Sequence, residues 1–174
     1  MIIRKAKVTD ADAVAKITNQ IIRDTLVTFT IAERDVGSIA SDIQARGPAF
    51  LVAELDGQVV GFATYGPFRS GPGYAQCREH SVQLAPKSRG HGTGRALMAA
   101  LEAAARDEGV HVLVAGISSA NPAAISFHAA IGFEKVGCMP EVGSKWGKRL
   151  DLVLMQKILA ADPLVAPDTG ELGR

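Results

Sequence analysis

Three glycines at alternate positions, Gly90, Gly92 and Gly94, stand between a stretch that reads as a strand and one that reads as a long helix. No other part of the chain constrains the fold as tightly. Ser81-Val82-Gln83-Leu84 alternates polar and apolar residues, the pattern of a half-buried strand. Pro86 ends it, because proline brings no donor to a ladder. Ala96 to Ala105 is rich in helix formers, with Leu97, Met98, Leu101 and Ala105 on one face. A helix start carries unpaired N–H groups and the positive end of the dipole. Glycines there let a phosphate reach the backbone. Two known phosphate loops do not fit. Gly94 is followed by Arg95-Ala96 rather than Lys-Ser/Thr, and no register gives G-x-G-x-x-G. What remains is Arg-x-x-Gly-x-Gly at Arg89, Gly92 and Gly94, inside a local basic patch of Lys87, Arg89, His91 and Arg95. The ligand expected there carries a phosphate or pyrophosphate.

The rest of the chain supplies a mixed set of elements. Ile2 to Ala6 reads as a first strand, and Thr9 as the N-cap of a helix carrying Val14, Ile17, Ile21 and Ile22. Thr25 to Ile31 is rich in β-formers and is expected to be a loop lining a site, with Phe29 as its prominent ring. A second helix is predicted over 36–46, broken by Gly47-Pro48. Strands over 50–54 and 59–65 meet at Asp56-Gly57, a hairpin signal. A loop over 66–73 leads to the strand before the glycines. Beyond the central helix come a β-branched strand over 110–117 and a helix opened by Asn121-Pro122 and closed by Gly132. Strands over 133–138 and 149–155 follow. The order is neither a βαβ alternation nor an all-antiparallel series, so the fold class is α/β with mixed α+β character: a mixed twisted sheet of about six to seven strands flanked by helices. One domain over 1–160 and a flexible tail over 161–174 are expected of the 174 residues.

Composition narrows the function. A net charge of +1 gives no footprint for nucleic acid. No long apolar run suggests a membrane segment, two cysteines make no disulfide framework, and the start resembles no signal peptide, so a cytoplasmic protein is expected.

The motifs now coincide in a way that resembles the GNAT N-acetyltransferases. Arg89-Gly-His-Gly-Thr-Gly94 is similar to their acetyl-coenzyme A loop, and Asn121 to His128 with Ile131-Gly-Phe-Glu134 to a second block. More narrowly, the chain resembles the phosphinothricin and methionine sulfoximine acetyltransferases. That resemblance rests on Ile17-x-Asn19 with Thr25 and Phe29, on Glu79-His-Ser-Val82, on Asn121 with Ser126, His128 and Gly132-Phe133, and on Met139-Pro-x-Val-Gly143-x-Lys145 with Asp151 and Met155. It covers about residues 1–158. The chain departs from that subfamily where an aromatic is usual at position 71, a basic residue at 75 and a tyrosine at 83; here stand Gly71, Ala75 and Gln83.

The resemblance implies an acetyl-coenzyme A-dependent enzyme, without metal, that acetylates a small amino-acid-like amine. The cofactor site would comprise Val82, Gln83, Leu84, Arg89, Gly90, His91, Gly92, Thr93, Gly94, Arg95 and Asn121. The pantetheine arm would pair with 82–84 where the sheet splays, and an N–H of Gln83 or Leu84 would hold the oxyanion. Acceptor contacts would come from Arg69, Ser70, Gly71, Glu79, His80, Ser81 and Phe29, with Arg69 on a carboxylate. Glu79 would be the general base. Strand alternation puts His80 on the face opposite Glu79 and Ser81, and spacing alone does not say which face meets the cleft. His128 stands where many relatives carry a tyrosine and would protonate the departing sulfur, or else is a packed, hydrogen-bonded helix histidine. Cys77 is expected to be inert. A homodimer is implied. Alternatives are another amine acceptor (polyamine, aminoglycoside or protein N-terminus) or a non-catalytic acyl-coenzyme A sensor.

Overall fold

A computed structural model describes residues 1–88 and 90–159; Arg89 and the expected tail over 161–174 lie outside the described residues. Its elements run β1 (Ile2–Lys5), α1 (Ala11–Asp24), α2 (Val36–Arg46), β2 (Phe50–Leu55), β3 (Gln58–Pro67), β4 (Cys77–Leu84), α3 (Thr93–Asp107), β5 (Val112–Ser118), α4 (Pro122–Ala130), β6 (Glu134–Lys145) and β7 (Lys148–Ile158). Seven strands form one sheet in the order β1-β2-β3-β4-β5-β7-β6. All neighbours are antiparallel except β4 and β5.

Local chemistry accounts for most boundaries. Asp56 and Gly57 both take positive φ, 51° and 75°, and so make the tight turn between β2 and β3. Asn121 caps α4: its Oδ1 accepts from the Ala124 N–H at 3.2 Å, and Pro122 follows where no N–H is needed. Gly132, at φ 92°, lets the chain leave that helix. Thr9 is not a cap. A short 3-10 turn, Val8–Asp10, precedes α1, and the Asp10 carboxylate accepts from the Lys7 N–H and from both guanidinium nitrogens of Arg4 at 2.7 and 2.9 Å. That charge pairing holds the Asp10 carboxyl below its ordinary pKa.

One strand runs much further than its sequence pattern suggested. β6 reaches Lys145 rather than Cys138, with irregular register near Gly137 and between Met139 and Gly143. Gly137, Pro140 and Gly143 hide the period-two signal, and an edge strand tolerates them because one row of its backbone groups needs no ladder partner. Trp146 and Gly147, at φ 51° and 73°, close the β6–β7 hairpin.

Hydrophobic layers lie on both faces of the sheet. On one, Leu97, Met98 and Leu101 of α3 pack against Leu113 and Ala115 of β5, all of them almost fully buried. This is the helix face expected from the sequence. On the other, Val14 and Ile17 of α1 with Ile39 and Ile43 of α2 cover Val52 and Phe62. Lys157 of β7 ties the first layer together, donating to both carboxylate oxygens of buried Glu102 and to Ile131 O, each at 2.8 Å.

Candidate active site

The parallel ladder between β4 and β5 stops early. Cys77, Arg78 and Glu79 pair with Val112, Leu113 and Val114, and there the pairing ends, although β4 continues to Leu84 and β5 to Ser118. The strands part, and a cavity of about 560 Å³ opens between them. It passes through the sheet. On the α3/α4 side it is lined by His80, Val82 and Leu84 with Ala124, Phe127 and His128; on the α1 side by Ser81, Gln83, Ile21 and the segment Thr25, Val27 and Thr28. The expected splay beside 82–84 is therefore present, and both faces of β4 meet the opening.

The glycine loop stands at one end. Gly90 and Gly94 line the cavity, and α3 begins at Thr93, earlier than its apolar pattern indicated. Gly90 and Gly92 are left-handed, φ 79° and 75°, with open space where a side chain would point. At these two positions the backbone is uncovered by any side chain. Gly94 is small for another reason. A Cβ there would lie 3.3 Å from the Phe127 ring, so this glycine lets the start of α3 approach α4. Thr93 is buried, whereas His91 and Arg95 are exposed. Asn121 lines the cavity while its side chain caps α4.

Glu79 sits where the strands divide. Its side chain occupies the place a substituent on Gly116 would take: a Cβ at Gly116 would be 2.9 Å from Glu79 Oε1. Gly116 lines the cavity, so the carboxyl lies beside that wall while remaining accessible to solvent. Partial burial raises its pKa. The sequence signal for Gly116 was a glycine inside a β-branched strand, a mark of close approach.

His80 turns the other way and is buried. His128 Nδ1 is 2.7 Å from Ala124 O, so it carries the hydrogen and donates it. His128 Nε2 is then a bare acceptor, and His80 Nε2, 3.0 Å away, must donate to it. His80 Nδ1 is left buried without a partner. Burial, with neighbouring His128, pushes the His80 pKa down to about 3, and burial lowers that of His128. The two imidazoles form a neutral pair. For His128 to hand a proton to a sulfur, its Nε2 would first have to exchange its bond with His80 for a proton.

The remaining expected acceptor residues are not gathered at the cavity wall. Arg69, Ser70 and Gly71 sit exposed after β3, with the Arg69 guanidinium 5.5 Å from the centre of the Phe68 ring. Phe29 packs on β6, filling the space where a side chain at Gly143 would go; Thr25, Val27 and Thr28 face the cavity instead. A β-rich loop of alternating character gave no means of choosing between them. Cys77 and Cys138 are free thiols, and burial raises the pKa of Cys77.

Comparison with known proteins bears on the same site. The family model described as Acetyltransferase (GNAT) family matches residues 15–133. The chain belongs to the GNAT acetyltransferase family. Among its relatives, an L-amino acid N-acyltransferase of Escherichia coli K12, MnaT, is 39% identical over 97% of this chain and 98% of the relative. An L-methionine sulfoximine/L-methionine sulfone acetyltransferase of Salmonella typhimurium is 39% identical over 97% of this chain and 99% of its own. A phosphinothricin acetyltransferase of Sinorhizobium meliloti, solved with acetyl-CoA, superposes with a TM-score of 0.86 at 29% identity, covering 97% of this chain and 96% of that one. This GNAT chain spans nearly the full length of each.

Proposed function

We propose that this GNAT enzyme moves an acetyl group from acetyl-coenzyme A to the amino group of a small amino-acid-like acceptor of the methionine sulfoximine or phosphinothricin kind. The observation that carries the reading is the parting of β4 from β5 after Glu79 and Val114, beside a left-handed glycine loop at a helix start. The loop suits a pyrophosphate. The unpaired edge of β4 suits the amides of a pantetheine arm, and the names of the relatives support the acceptor class.

The chemistry then divides by position. An amino acid arrives as an ammonium ion and gives up two protons before the amide is complete. Glu79 attracts the cation and takes the first proton, directly or through water. A carboxylate of raised pKa is the better base near neutral pH. As the C–N bond forms, a backbone N–H of Gln83 or Leu84 donates to the oxyanion, a contact typically worth roughly 3 kcal/mol. The C–S bond breaks, and the thiolate takes up the remaining proton. Arg69 is proposed to meet the acceptor carboxylate at the mouth.

A homodimer fits the exposed edge strand β6, which shows Val136, Met139, Val142 and Trp146 to solvent. A cytoplasmic setting fits two free thiols.

Calorimetric titration with coenzyme A, followed by a thiol-release assay over a panel of amino acids, tests the reading. Binding with turnover on a small amino acid is expected. Binding without turnover on any amino acid would leave another amine acceptor or an acyl-coenzyme A sensor, and absence of binding would sink the proposal.

A further inference from the structure

Lys145, at the end of β6, is 2% exposed, so its ammonium gives up most of the water it prefers. Among the described residues it has no carboxylate partner. Its Nζ donates to Ile22 O at 2.7 Å and to Thr28 O at 3.2 Å. Ile22 lies in the last turn of α1, where carbonyls lack helical partners and the dipole favours a cation. Thr28 lies on the segment that follows. One ammonium therefore ties both ends of the stretch carrying Thr25, Val27 and Thr28 to a strand more than a hundred residues away. Two residues earlier, Gly143 makes a second attachment. The Phe29 ring occupies the place of its missing side chain, at 2.4–2.6 Å from where a Cβ would be. Thr25 completes the arrangement from within, its hydroxyl donating to Ile21 O at 2.7 Å.

We propose that Lys145 and Gly143 are positioning residues for the acceptor. They hold the wall formed by Thr25, Val27 and Thr28 at the depth that admits an amino-acid side chain, without touching the acceptor themselves. The inference rests on the acetyl-transfer reading above. It adds that acceptor selectivity is set from β6, on the far side of the sheet order from β4. A buried cation held by two carbonyls, with the centre of the Trp146 ring 4.9 Å from its Nζ, is costly in isolation, and its cost is offset by the loop it fixes. Burial lowers the Lys145 pKa in the same sense.

Lys145→Met and Gly143→Ala, made separately in the full chain, test the proposal. Each is expected to raise KM for the acceptor at least tenfold while leaving KM for acetyl-coenzyme A within twofold, and to speed amide hydrogen exchange over residues 25–31. Lys145→Arg should recover part of the acceptor KM. Should both variants leave the acceptor KM unchanged, or shift both KM values together, the proposal is overturned. If Lys145→Met does not fold, Gly143→Ala decides by the same criteria. If the unaltered enzyme turns over no acceptor, the acetyl-transfer reading has failed, and the exchange measurement alone decides whether the tether exists.

Discussion

At Glu79, burial and chemistry pull in opposite directions. The carboxyl has a pKa raised by desolvation, so its ionised form weakens the fold at any pH above that value, while the same shift improves it as a base. Glu79→Gln should therefore lower kcat/KM by about 10²–10³-fold. It should abolish the acidic limb of the pH–rate profile, which in the unaltered enzyme lies above the ordinary carboxylate value of 4.5. It should not lower Tm at neutral pH; a matched fall in Tm and rate would mean that Glu79 is structural. The histidine pair has the opposite sign. Both His80 and His128 have folded pKa values below the unfolded 6.5, so the stability of the neutral pair is present above pH 6.5 and is lost as pH falls below it. Thermal melts should show Tm declining from about pH 6.5 downward, with the decline between pH 6.5 and 5 flattened in a His80→Phe/His128→Phe double variant. Asp10, whose pKa is lowered by Arg4, contributes its own loss only below about the ordinary aspartate value of 3.8.

Among the elements, α3 and β4 do most to make the site. The helix begins on Gly92 in the left-handed region, a conformation that costs an L-residue roughly 1 kcal/mol. Gly92→Ala is expected to raise KM for acetyl-coenzyme A several-fold and to leave the acceptor KM nearly unchanged, because the acceptor wall belongs to α1 and the segment after it. Steady-state kinetics with each substrate varied in turn checks this. Equal effects on both would show that the loop and the wall are not separable. The glycines also illustrate how one residue type answers to different demands. Gly90 and Gly92 stand against open space, whereas Gly94 and Gly116 stand against Phe127 and Glu79. A glycine-rich string announces close approach; only the packed neighbours say to what.

For the molecule as a whole, the exposed edge strand β6 carries the prediction of assembly. Val136 and Val142 are 53% and 51% exposed on β6. If the proposed dimer forms through β6, a Val136→Lys/Val142→Lys double variant should sediment as a monomer where the unaltered chain is expected to sediment as a dimer, with Tm changed little because neither side chain is buried. A monomeric unaltered chain at micromolar concentration would refute the dimer.

What the residues disclosed on their own was whatever depends on near neighbours. The glycine loop before a helix, the Asp56-Gly57 turn, the Asn121-Pro122 helix start and the apolar face of α3 are set by backbone preference and periodicity within a few positions. Glu79 was legible as a candidate through the resemblance of Glu79-His-Ser-Val82, directly before that loop, to the acetyltransferases. Other features were decided only when distant segments met: the fork between β4 and β5, the Glu79 carboxyl over Gly116, the hydrogen-bonded pair of His80 and His128, and the grip of Lys145 on Ile22 and Thr28. The physical reason is that sheet pairing, desolvation and burial of a cation depend on separation in space, and one-dimensional spacing carries no measure of that between residues 22 and 145.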